Sequence, residues 1–368
     1  MKCQTVVIRG NGAVELENRE IPQPVPNSAV VKIHATLISP GTEVQHIRDR
    51  RKNPVENDIV LGYSCAGEVV EICGDAHGLE IGQRVGCMTG GHVSYAVVPV
   101  NLVVPLPDNV SYEEGCFLSL AATALQGVRR TDVKFGEYGT VLGLGIVGNI
   151  AAQLFRLNGC RVLGLEGMDL RIDIAKRCGI QTVNINCGDS EKTVKEWAEP
   201  YGLDFSMIAF GGDARKAFDS VHRCMKVSAD GHEMGRITLI GGCAIEFKGG
   251  AWSGNLDIRA SSRTGAGYHD KAWELGADYP SVFVQFTSQR NARELAALIA
   301  EKRLLVQPLI TNKMALAQAD CAYDALLEHP DQNMGIILYP EFYGGVKKCH
   351  LKLVWWGSAP RILNAGSP

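Results

Sequence analysis

The chain has 368 residues, of which 46% are hydrophobic and 21% charged, and its formal net charge is −3. A chain of this length is expected to form two domains with a sizeable core. The near-neutral charge argues against nucleic acid as a partner, because phosphate-backbone binders carry a basic excess. No run of about 18 apolar residues occurs, so no membrane span is expected.

The opening Met1–Arg9 is too polar for a signal peptide and reads as a first β-strand. Twelve cysteines are scattered along the chain without a C-x-x-C pair or metal-ligand spacing. That pattern predicts buried free thiols in a reducing compartment, hence a cytoplasmic location.

Residues 1–110 read as β. Ala29–Ile33, Gly67–Ile72 and Tyr95–Val100 are short and rich in β-branched residues, with Gly, Pro, Asn and Asp between them. Many such strands suggest a barrel-like domain. Ser111 followed by Glu113 and Glu114 predicts a helix N-terminus. From about 136 to 262, strands alternate with helices. The strands are Gly139–Gly143, Arg161–Leu165, Gln181–Ile185, Phe205–Phe210 and Gly235–Ile240, with helices at Asn149–Asn158 and Leu170–Arg177. This alternation implies βαβ units and a parallel sheet, an α/β fold. A helix over 291–302, a strand at Leu309–Thr311, an Ala-rich helix over Leu316–Leu327 and a strand at Gly335–Tyr339 close the chain, and the tail from Phe342 has no clear period.

Gly143-Leu144-Gly145-Ile146-Val147-Gly148 is a G-x-G-x-x-G motif between an apolar strand and a helix, the context that a dinucleotide fingerprint requires. Gly143 allows the tight turn, Gly145 lets backbone approach a pyrophosphate, and Gly148 lets helix pack on sheet. The helix N-terminus offers free N–H groups to phosphate. Glu166, about 20 residues on, suits two ribose hydroxyls and repels a 2′-phosphate, so NAD is expected in preference to NADP; Arg171 is the residue that could instead hold a 2′-phosphate.

Together these features resemble the medium-chain dehydrogenase/reductase family over residues 1–340. The markers are Gly62-Tyr63-Ser64-Cys65-Ala66-Gly67-Glu68-Val69-Val70, Gly82-Gln83-Arg84-Val85-Gly86 and Gly91-His92-Val93-Ser94-Tyr95-Ala96-Val97-Val98-Pro99, followed by the fingerprint. The resemblance implies a GroES-like β-barrel domain (1–122 and 304–340), an inserted Rossmann doubly wound domain (123–303), a tail (341–368) and a cofactor in the cleft between the domains. It adds Thr123, Phe210, Gly211 and Gly241 to the expected cofactor contacts.

The departures from the family pattern are informative. Where zinc-using members have Cys-Gly-Thr/Ser-Asp, this chain has Pro40-Gly41-Thr42-Glu43; Gly-His-Glu is Gly62-Tyr63-Ser64; and the third ligand position matches Ser119. Proline cannot coordinate, and neutral Tyr and Ser are poor zinc ligands. The four-Cys lobe of a structural zinc is missing as well. The resemblance is therefore to a zinc-free subgroup, like the medium-chain halves of bi-domain oxidoreductases and bacteriochlorophyllide dehydrogenase, and neither catalytic nor structural zinc is expected.

Thr42 matches the family's proton-relay hydroxyl, and Tyr63 falls in the vacated metal position, where its phenol could donate or accept a proton or simply fill space. Glu43 is a further acid/base candidate; its alternative role is a salt bridge holding the loop. Ser119, His92 and the loop residues Arg263, Tyr268 and His269 are candidate substrate contacts, with helix capping or dimer packing as the alternative for the last two. The strand Arg236–Ile240 resembles the family's sixth Rossmann strand, and an edge there suggests a homodimer. The expected activity is hydride transfer between nicotinamide and a secondary alcohol or ketone on a small molecule such as a sugar, cyclitol or natural-product scaffold. A zinc-free enoyl or quinone reductase using NADPH, and a non-catalytic nucleotide-binding protein, are the competing readings.

Overall fold

The computed structural model describes residues 2–250 and 254–341. The tail from Phe342, for which the sequence predicts no element, lies outside the described residues.

Two large sheets organise the chain. The first has seven strands, in the order Ile310–Ala315, Gly335–Tyr339, Ser28–Leu37, Cys65–Cys73, Arg84–Cys87 and Val103–Pro105, with Tyr95–Pro99 paired to Ser28–Leu37. A three-stranded sheet, Val14–Glu20, Lys2–Ile8 and Ile59–Val60, accompanies it. Strands from the far end of the chain thus complete a sheet begun at its start, and the parallel sheet is an insertion between them.

That parallel sheet has six strands in the order Gln181–Asn184, Arg161–Glu166, Tyr138–Leu142, Phe205–Ile208, Met234–Ile240 and Asn255–Ser261. In chain order this is 3-2-1-4-5-6, the doubly wound Rossmann arrangement, whose crevice opens where strands 1 and 4 diverge. Two corrections follow. The strand containing Arg236–Ile240 is the fifth, paired on both sides. The sixth strand and sheet edge is Asn255–Ser261, which the sequence reading passed over. Its charged Asp257 and Arg259 break the apolar run that marks a buried parallel strand.

The joint between domains is packed. Ser111 caps the next helical turn with a full capping box to Glu114. Leu118–Thr131 follows, a 14-residue helix with buried residues on most of its surface, and it packs against the helices Ile146–Leu157 and Ser288–Ala300. One continuous apolar cluster therefore runs from Val31 and Val85 in the barrel through Ala121 and Leu125 to Ile150 and Met207 in the Rossmann unit. Hydrogen bonds cross the joint too. Asn101 Nδ2 donates to the Trp273 carbonyl at 2.6 Å, and Asn27 Nδ2 to the Leu275 carbonyl at 2.9 Å.

Among the described cysteines all eleven are free, and seven are buried. No helix among the described residues is long and apolar enough to cross a membrane.

Candidate active site

The fingerprint folds as its glycines require. Gly143 sits at φ +85°, in the left-handed region, directly after the strand Tyr138–Leu142. A Cβ on Gly148 would lie 1.9 Å from the Gly143 carbonyl oxygen, so only glycine fits where helix meets turn. Gly145 caps the helix Ile146–Leu157, and a Cβ there would meet nothing within 4 Å. The loop is tight on its protein side and open on its outer side. A pyrophosphate fits that open side, where Gly145, Ile146 and Val147 bring backbone N–H groups to the first turn. Leu144 and Ile146 point their side chains inward and are buried.

Glu166 ends the second strand and is nearly buried. Its Oε2 accepts from Leu144 N at 2.8 Å, and its Oε1 from Gly167 N at 2.8 Å and Met168 N at 3.1 Å. Three backbone donors therefore fix the carboxylate beside the phosphate loop. Arg171 Nη1 is 3.8 Å from Oε2, while its buried Nε has no hydrogen-bond partner. At the strand 4 and 5 ends, Phe210 flanks Gly143, and a Cβ on Gly211 or Gly241 would approach no closer than 3.4 Å to its neighbours, leaving the crevice floor low. Thr123 is half-buried on the long helix, and its hydroxyl donates to the Ser119 carbonyl at 3.2 Å.

The polar centre lies in the barrel domain. Thr42 and Glu43 open an unforeseen helix, Thr42–Lys52; its sequence is mostly charged, and only Glu43, Val44 and Ile47 are buried. The Tyr63 hydroxyl donates to Ser39 Oγ at 2.6 Å and lies 3.3 Å from Thr42 Oγ1. Ser64 Oγ donates to the Cys116 carbonyl, which ties the Tyr63 segment to the turn that leads into Ser119. The segments that carry Pro40, Tyr63 and Ser119 are thus connected. Ser119 is fully buried, with its Oγ unpartnered, so the expected substrate contact presents no exposed atom, a correction to the sequence reading. Burial above all, and then the nearby Glu43, raises the Tyr63 pKa above that of an ordinary phenol, against hydrogen bonds from Ser39 and Thr42 that lower it. At neutral pH the Tyr63 phenol therefore carries its proton.

Glu43 and His92 are corrections to the sequence reading. Both are fully buried and present no atom to the cleft. His92 Nε2 is 2.7 Å from Glu43 Oε2, and His92 Nδ1 is 2.8 Å from Thr36 Oγ1. Glu43 also accepts from Ser39 N at 3.0 Å and from the buried Tyr323 hydroxyl. This network holds the 39–43 turn in place, close to the salt-bridge alternative. Tyr323 and Ser39 were not expected, because they meet Glu43 only after folding.

A cleft of about 360 Å³ opens between the domains. Gly62, Thr89, Gly90 and Gly91 line its barrel side, Tyr268, His269 and Glu274 its Rossmann side, and Val97, Pro99 and Leu102 give it an apolar end. The Tyr268 hydroxyl donates to the Met88 carbonyl at 3.2 Å across the joint. Burial first, then Tyr63 and Glu274, push its pKa up to about 12. Neither Tyr268 nor His269 caps the following helix, because Asp270 does so. Arg263 is exposed, with φ +65°. Glu274 is a lining residue that the sequence reading missed; a lone acid in a short helix gives no signal. Among the described residues no group of three or more His, Cys, Asp or Glu could hold a metal.

A barrel-like domain closed by C-terminal strands, an inserted Rossmann sheet with an open phosphate loop, and a polar cleft between them define an NAD(P)-dependent oxidoreductase. Residues 25–108 match the family described as "Alcohol dehydrogenase GroES-like domain". The D-xylulose reductase of Saccharomyces cerevisiae is 21% identical, over 91% of this chain and 97% of its own length. An oxidoreductase/dehydrogenase of unknown specificity from Escherichia coli superposes with a TM-score of 0.76 at 17% identity, covering 92% of this chain and 99% of that one. A structure described as a short chain alcohol dehydrogenase from Escherichia coli, complexed with NADH, gives 0.69 at 16% identity, covering 92% and 99%. Over nearly its whole length the chain is similar to dehydrogenases and reductases of the alcohol dehydrogenase type.

Proposed function

We propose that the chain is a zinc-independent dehydrogenase that interconverts a secondary alcohol and its ketone, with NAD preferred to NADP. One observation carries the reading. The positions of the family's zinc ligands hold Pro40, Tyr63 and Ser119, and a protonated phenol occupies the middle one, within hydrogen-bond reach of two further hydroxyls.

The nicotinamide supplies or accepts the hydride when bound. The chain's own groups manage the oxygen. In ketone reduction Tyr63 donates to the carbonyl oxygen and stabilises the charge that develops there, the role zinc plays elsewhere as Lewis acid. Ser39 and Thr42, both hydroxyls beside the phenol, replace or carry away its proton. Gly145 and the first turn of its helix hold the pyrophosphate, while Glu166 receives the ribose hydroxyls and disfavours a 2′-phosphate. The yeast relative is named for a reductase of a ketose, which suits this reaction class.

The free edge at Asn255–Ser261 supports a homodimer, testable by light scattering at micromolar concentration. The free thiols support a cytoplasmic location. A substrate panel tests the function: nicotinamide absorbance is followed with secondary alcohols, ketones, enones and quinones. Turnover of the first two classes supports the reading, and turnover of the enones or quinones alone replaces it with conjugated-bond reduction. Turnover of none leaves a nucleotide-binding protein without catalysis.

A further inference from the structure

We propose that Glu274, with His269 and Thr89, forms a subsite for the further hydroxyl groups of a polyhydroxylated substrate, and that Glu274 determines specificity. The inference rests on the dehydrogenase reading above and adds the substrate class to it.

The cleft has the size of a small-molecule site. Its barrel wall is mostly backbone. Gly90 and Gly91 have φ +119° and +90°, and a Cβ on Gly62 would lie 2.6 Å from His92 N, so no side chain projects from these positions. Polar tips therefore come mainly from the facing Rossmann segment. Glu274 is half-buried, and its Oε1 accepts from His269 N at 2.8 Å. That bond pins His269 at φ +70°, a left-handed conformation costly for a residue with a Cβ. The Tyr268 and His269 rings lie 4.3 Å apart, and Tyr268 bonds across to Met88, next to Thr89. A strained loop is thus braced from two sides, which fixes an imidazole and a carboxylate at the cleft.

The remaining carboxylate oxygen is an acceptor, the imidazole can accept or donate, and Thr89 adds a hydroxyl. Vicinal hydroxyl groups, each both donor and acceptor, match this mixed set, whereas an unsubstituted alkyl chain would leave the half-buried Glu274 and Thr89 without a ligand partner. Gly62 adjoins Tyr63 in the chain, and Tyr268 is close enough for Tyr63 to perturb its phenol, so the subsite neighbours the oxygen-binding centre.

The test compares kcat/KM for an alditol, a 2-alkanol and a 2-amino alcohol of equal chain length in the wild type, Glu274→Gln and Glu274→Ala, and measures alditol binding to the NADH-loaded proteins by nicotinamide fluorescence. The glutamine variant keeps an acceptor for His269 N and so preserves the loop. The wild type should favour the alditol. Glu274→Ala should lower that preference on the order of 10- to 100-fold through KM, the effect of a hydrogen bond to a charged acceptor, with Glu274→Gln intermediate. An unchanged preference in both variants, or a wild type that prefers the amino alcohol, overturns the proposal. Alditol binding lost in Glu274→Ala without turnover of any alcohol would support the subsite and overturn the dehydrogenase reading. Turnover of 2-alkanols without preference for, or binding of, the alditol would do the reverse.

Discussion

Replacing Glu43 by alanine separates a catalytic carboxylate from a structural one. The side chain accepts from three groups, the Ser39 amide, the His92 ring and the Tyr323 hydroxyl, and each donor residue is at most 4% exposed. A buried donor left without a partner costs about 1–3 kcal/mol. Relaxation recovers part of the sum for three. Glu43→Ala should therefore lose about 3–5 kcal/mol, a large share of the roughly 5–15 kcal/mol that holds a domain folded. Tyr323→Phe removes one donor and its bond, and should lose about 1–2 kcal/mol. Urea unfolding followed by tryptophan fluorescence and circular dichroism reads both values. In the double variant the two losses should fall short of additive, because the groups share a bond. If Glu43→Ala unfolds within about 1 kcal/mol of the wild type yet turnover collapses, the structural assignment is wrong and Glu43 is an acid or base after all.

Three further outcomes follow from the site. Tyr63→Phe should lower kcat by about 10²–10³, the usual effect of removing one well-placed donor, with dinucleotide affinity nearly unchanged; near-normal turnover would make the phenol a space-filler. Glu166→Ala should shrink the ratio of NAD to NADP affinity measured by fluorescence titration, and an unchanged ratio would point to another determinant. Stability should begin to fall above about pH 8.5, where thiols of the unfolded chain ionise while buried Cys160, Cys178 and Cys224 keep their protons up to about 11. It should fall further above about pH 10, where the tyrosines of the unfolded chain ionise. Tyr268 keeps its proton up to about 12, and Tyr63 and Tyr323 are raised as well, so the folded chain holds more protons in that window. Thermal melts between about pH 8 and 12 would show the decline, and Tyr323→Phe should flatten it.

The parts of the fold that were legible in the sequence are those written locally. The fingerprint from Gly143 to Gly148, the Ser111 cap and the apolar strands of the parallel sheet each carry their signal within a few residues. Thr42–Lys52 hid as a helix because only three positions are buried, and Asn255–Ser261 hid as a strand because it lies at a sheet edge and alternates in charge. The candidate site was half legible. Tyr63 stood out by its place in a familiar pattern, and its neighbour Thr42 likewise. Ser39 and Glu274 carried no motif. The bonds of Glu43 to His92 and Tyr323 join positions 49 and 280 residues apart, a relation that only the tertiary fold creates. The same fold turned two suspected contact residues into buried supports.

The most direct test of the central claim measures metal content and alcohol-dependent NADH formation together, before and after exhaustive chelation and again after added zinc. With Pro40, Tyr63 and Ser119 at the ligand positions, the protein should carry far less than one zinc per chain and keep its rate throughout. About one zinc per chain, with activity lost on chelation and restored by zinc, would contradict the account.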